Sequence, residues 1–112
     1  MWIEKEKQLA IACIKWADSI LGGGTIEEHS DARLTLERAV NDCGYDAVTL
    51  AAGWNVTASL MVEIMLIANG GRLTGSAFNP SIIRDVPIYG EPGHWVNKLR
   101  KTYKLGKKEN GP

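Results

Sequence analysis

Residues 49–71, "TLAAGWNVTASLMVEIMLIANGG", are the most apolar run of this chain and limit its fold more than any other segment. The run can cross a membrane, form the centre of a soluble core, or hold a helix-turn-helix around Gly53. Residues 47–68 carry one charge, Glu63, and are long enough to span a bilayer. Against a span, Thr49, Asn55, Thr57 and Ser59 lie inside the run and Gly53 interrupts it. Glu63 would also sit well within the hydrocarbon, where an acid costs roughly 2.5–3.5 kcal/mol. As a reading helix, a segment beginning near Asn55 offers Asn55, Thr57 and Ser59 but no base. Base readout and phosphate neutralisation both favour cationic and amide donors, so the DNA groove is a poor place for it. The soluble core remains. Ten of the thirteen residues from Val56 to Ala68 are apolar, which marks a helix buried on most sides.

The segments on either side have the pattern of amphipathic helices. Over residues 3–21, Leu9, Cys13, Trp16 and Ile20 recur at helical spacing, with Ala10, Ile14, Ala17 and Leu21 alongside. Gly22, Gly23 and Gly24 stop that helix; no strand precedes them and no GK[ST] follows, so a phosphate loop is not the reading. "TIEE" matches a capping box, with Thr25 and Glu28 as the reciprocal pair, although Ser30 or Asp31 would also serve as a cap. The helix it opens buries Ala32, Leu36, Ala39, Val40 and Cys43 and ends at Gly44, after which Asp46 can cap the next.

From Gly70 the texture changes. "GGRLTGSAFNPSIIRDVPIYGEPG" holds five glycines and three of the four prolines, with short extended candidates at 72–74 and 81–88. Pro92 suits the first turn of a last helix, "HWVNKLRKTYKL", closed by Gly106. The spacing therefore predicts an all-α or mainly α bundle of four to five helices around a central helix over about 55–69. A loop over 70–92 would hold at most a short strand pair. One helical domain over 1–106 with a flexible tail over 107–112 accounts for the 112 residues, a length that can bury a core unaided.

The net charge of zero conceals a separation. Residues 1–46 hold nine acids against five bases, whereas residues 91–112 hold six bases against Glu91 and Glu109. Such a dipolar chain points to partners rather than to a fold. On the last helix, Val96, Leu99 and Tyr103 form the inward line. Lys98, Arg100, Lys101 and Lys104 cover the remaining surface, extended by Lys107 and Lys108. With Trp95 and Tyr103 beside them, these cations are the candidates for gripping phosphates and stacking on bases. Cations also suit a helix C-terminus, and the basic helix can instead dock on the acidic half, within one chain or in a homodimer. The acids Glu27, Glu28, Asp31 and Glu37 form the alternative partner face.

Enzyme and metal motifs are weak by comparison. Cys13, His29, Cys43 and His94 match no zinc spacing, and both cysteines fall on helix faces expected to be buried, as free thiols of a reducing compartment. Glu27–Glu28 and Asp42–Asp46 are better explained as helix-terminal acids than as acid/base pairs. "MWIEKEKQ" does not resemble a signal peptide. The expectation is a cytoplasmic, non-enzymatic regulatory or interaction protein without cofactor, metal or membrane span. Its partner is nucleic acid through the basic helix, or a nucleic-acid enzyme inhibited through the acidic face. The second role is one for an accessory or anti-defence protein of a phage or mobile element. A small enzyme with its site in the 70–95 loop is the third reading.

Overall fold

The computed structural model describes residues 2–70, 90–91 and 93–105. Among them the chain is mainly helical, with α1 at Trp2–Leu21, α2 at Ile26–Cys43, α3 at Asp46–Trp54, α4 at Ala58–Ala68 and α5 at Trp95–Thr102. The two extended candidates, Pro92, Gly106 and the 107–112 tail lie outside the described residues. No described helix is long and apolar enough to cross a membrane.

α1 contributes more of the buried core than any other helix. Leu9, Ala10, Ala12, Cys13, Ile14, Trp16 and Ala17 are all buried, a face wide enough to meet α2, α3 and α5. Ile20, expected on the inward line, is instead 43% exposed, while Asp18 and Ser19 of the same turn are buried and face α5 and α2. The most extensive pairing is α1 with α2, joined through the glycine run. Gly23 takes a φ of +79°, and a Cβ on Gly24 would lie 2.9 Å from the Ser19 carbonyl oxygen, so the reversal needs glycine at both positions. The capping box forms as the sequence predicts. Thr25 Oγ1 accepts from the Glu28 amide at 3.0 Å, and the Glu28 carboxylate accepts from the Thr25 amide at 2.7 Å.

The apolar run divides differently from the expectation of a break or close approach at Gly53 followed by one helix over about 55–69. Gly53 lies inside α3, and a Cβ there would meet nothing within 4 Å, so it admits no close neighbour. The break falls at Asn55, which takes a left-handed φ of 60°. Its amide bonds the Ala52 carbonyl at 3.2 Å, and the Val56 amide reaches the Ala51 carbonyl at 3.4 Å. This is a Schellman closure in which asparagine stands where glycine is commoner. α4 then starts at Ala58 and buries Leu60, Met61, Ile64 and Ile67, while Val62, Met65 and Leu66 are half-buried. Glu63 is accommodated by an ion pair with Arg33 of α2, Nε to Oε1 at 2.7 Å.

α5 begins at Trp95, one residue into the segment expected for the last helix, and ends before Gly106, at Thr102. His94 caps it, with Nδ1 accepting from the Val96 amide at 3.1 Å. Trp95, Val96 and Leu99 are buried and anchor the helix. Its end repeats the closure of α3. Lys104 is left-handed at φ 58°, its amide meets the Lys101 carbonyl at 3.3 Å, and the Leu105 amide meets the Arg100 carbonyl at 2.7 Å.

Candidate binding surfaces and the cleft between three helices

The six residues singled out on the basic helix do not form one surface. Lys98, Lys101 and Lys104 are exposed. Trp95 is only 5% exposed and stacks against His94 at 5.5 Å between ring centroids, so its ring is not open to a base. Its buried indole N–H has no hydrogen-bond partner among the described residues. Tyr103 is half-buried, packs edge-on against Trp54 of α3, and donates its hydroxyl to the Glu6 carboxylate of α1. Burial and that carboxylate push the Tyr103 phenol up to about 12. Arg100 also turns inward. Its Nη2 donates to Asp18 Oδ2 at 2.6 Å, with the two side chains only 14% and 10% exposed. The expectation that Arg100 is an exposed cation beside an exposed aromatic is corrected by these contacts with α1. Asp18 supplied the signal that would have found the pair. It sits four residues after Ile14 beside a buried face, and a buried carboxylate calls for a cation, most often arginine.

The acidic set divides as well. On α2 the buried residues Ala32, Leu36, Ala39 and Val40 define the inward side. Helical spacing puts Glu27, Ser30, Asp31, Leu34, Glu37 and Arg38 on the opposite side, all of them exposed. Leu34 is 51% exposed in the middle of that face, and Ile26, at its start, is 86% exposed. Glu28 stands to one side, engaged in the capping box. Asp31 accepts from Lys15 Nζ at 2.6 Å, and this hydrogen bond holds its carboxyl below the usual carboxylate range. Among the described residues, Glu27 and Glu37 have no ion-pair partner. α3 and α4 follow one another through Asn55, where the helix-turn-helix reading placed its turn at Gly53, but the exposed polar residue of α4 is Ser59 and the helix carries no base.

Three of the singled-out residues, Glu28, Asp31 and Arg100, meet in a place the sequence did not indicate. They line a cleft of about 520 Å³ between α1, the start of α2 and the end of α5, together with Ile11, Ile14 and Leu105. The apolar residues are buried or half-buried, Lys15, Glu28 and Asp31 are exposed, and the nearly buried Asp18–Arg100 pair adds a charged patch to the wall. Ser19, also on the wall, lies 3.1 Å from His29 Nδ1. Its hydroxyl also donates to the Trp16 carbonyl at 2.8 Å, and the contact with His29 ties α1 to α2.

Cys13 is buried and Cys43 half-buried, and both are free. Burial, helped by the neighbouring Cys43, pushes the Cys13 thiol up, away from the reactive thiolate. Among the described residues no group of three His, Cys, Asp or Glu side chains could hold a metal ion. No family model, curated protein or solved structure matches the chain.

Proposed function

We propose that this chain is a non-enzymatic interaction module that docks a basic, partly apolar protein surface on the outward face of α2. The observation that carries the reading is the exposure of Leu34 on the same helix face as Glu27, Asp31 and Glu37, with the exposed Ile26 at its edge. An apolar residue held among acids away from the core supplies both desolvation and charge complementarity to a partner, the first for affinity and the second for orientation. A protein that handles nucleic acid presents a surface of this kind where phosphates would lie, and carboxylates along a helix compete for it. The structural work of Arg100, Trp95 and Tyr103 within the fold makes α5 the less suitable surface.

A photo-crosslinking residue in place of Leu34 tests this in cells that make the protein, with the same residue in place of Lys98 as the comparison. The expected result is a discrete protein adduct from position 34 that disappears when Glu27→Lys and Glu37→Lys are added. Adducts from position 98 alone would overturn it. The nucleic-acid reading keeps one supporting observation, the exposure of Lys98, Lys101 and Lys104. It requires binding to short DNA or RNA that weakens with salt by a log–log slope of about −0.7 to −0.9 per phosphate contacted. Such binding, lost on Lys101→Glu with Lys104→Glu, would put that reading first.

A further inference from the structure

We propose that the cleft between α1, α2 and α5 is a binding site for a small uncharged molecule with an apolar body and a hydrogen-bond-accepting head, such as a carbonyl. Its volume of about 520 Å³ is that of a small-molecule pocket. The body is set by Ile11, Ile14 and Leu105, the aliphatic side chains of the interior. Leu105 reaches the cleft because the left-handed Lys104 turns the chain back over the end of α5. The wall is braced across 82 residues of sequence by the Arg100–Asp18 pair, which fixes α5 against α1 whether or not the cleft is filled.

The charge of the ligand follows from how the charges around the mouth are engaged. Lys15 faces Asp31 at 2.6 Å, Arg100 faces Asp18 at 2.6 Å, and the Glu28 carboxylate accepts from the Thr25 amide at 2.7 Å. An anion on the spare N–H groups of Arg100 would lie beside the Asp18 carboxylate and be repelled by it. A cation at Asp18 or Asp31 would lie beside Arg100 or Lys15, which already face those carboxylates. An uncharged ligand meets neither repulsion. The head group follows from the donors that remain. A guanidinium has five N–H groups and an ammonium three, more than the carboxylates facing them engage, so the wall offers N–H donors to a neutral acceptor.

The test uses the full chain and prodan, an uncharged naphthalene ketone whose emission shifts to the blue in apolar surroundings, with an anionic naphthalene sulfonate as the comparison. Saturable binding of one prodan is expected, with amide shifts in an NMR titration centred on Ile11, Ile14, Gly24, Asp31 and Leu105. The sulfonate should bind at least about tenfold more weakly. Ile11→Trp, which fills the interior from a half-buried position, should weaken prodan by at least about tenfold with the helical circular dichroism unchanged. If that variant does not fold, the shift map of the unaltered chain decides. Absence of saturable prodan binding, shifts centred elsewhere, or equal affinity for the sulfonate would each overturn the proposal. Because no residue of the α2 outward face other than Asp31 lines the cleft, this outcome and the fate of the docking proposal are separable.

Discussion

α2 and α5 are both amphipathic helices with a conspicuous charge, and they use it in opposite ways. α5 is eight residues long and has to be anchored, so it turns Trp95, Val96 and Leu99 into the core and commits Arg100 to Asp18. α2 is eighteen residues long and packs most extensively against α1, so its outward face is not needed for the fold, and there Leu34 and the exposed acids Glu27 and Glu37 stand. A short helix at the edge of a core draws on its polar side chains for attachment, whereas a long helix leaves a face unused. The more conspicuous charge cluster in a sequence is therefore not always the one available to a partner.

Two leucines of α2 mark the difference most sharply. Leu36 is fully buried and Leu34 about half exposed, only two residues apart. Leu36→Ala should cost about 2–5 kcal/mol in denaturant unfolding, and Leu34→Ala should stay within about 0.5 kcal/mol. Comparable losses would mean that the outward face is also part of the packing. At the other helix, Tyr103 offers a titration. Its phenol is raised from 10.0 to about 12 by burial and by Glu6, so the fold holds its protonated form. The stability this contributes is full below pH 10 and falls as pH rises through 12. The tyrosinate absorbance lost on Tyr103→Phe should therefore titrate near 12. Titration near 10 would place Tyr103 in solvent and free α5 from α1. The smallest effect is expected for Lys101→Glu with Lys104→Glu, within about 0.5 kcal/mol of the starting stability for each exposed site. A large loss would show that the lysines, too, are part of the docking of α5.

Local features of the sequence were the most legible. The Thr25–Glu28 capping box, the glycine stop after α1 and Gly44 after α2 depend on residues within a few positions of one another, and each stands where the pattern put it. The break between α3 and α4 was less so, because asparagine and glycine both tolerate a left-handed residue, and the glycine lay only two positions away. The candidate sites depended on tertiary placement. Whether Arg100 faces solvent or Asp18 is decided 82 residues away. The cleft needs three elements to define its walls, and no periodicity within one of them encodes it. The orphan signal was the acid itself. Asp18 lies among α1 residues that are otherwise buried and apolar or small, and a carboxylate in such surroundings requires a partner.

The inward commitment of α5 is tested most directly by a double-mutant cycle across its ion pair, with Asp18→Asn, Arg100→Gln and the two combined, read by chemical unfolding. A cycle is needed because Asp18 has interactions besides Arg100, and the difference of differences removes them. With both side chains nearly buried, each single change should destabilise the chain, and the coupling should be about 1–3 kcal/mol. A coupling within about 0.5 kcal/mol of zero would contradict the account, because Arg100 would then be as free as the lysines beside it and the basic helix would again be the available surface.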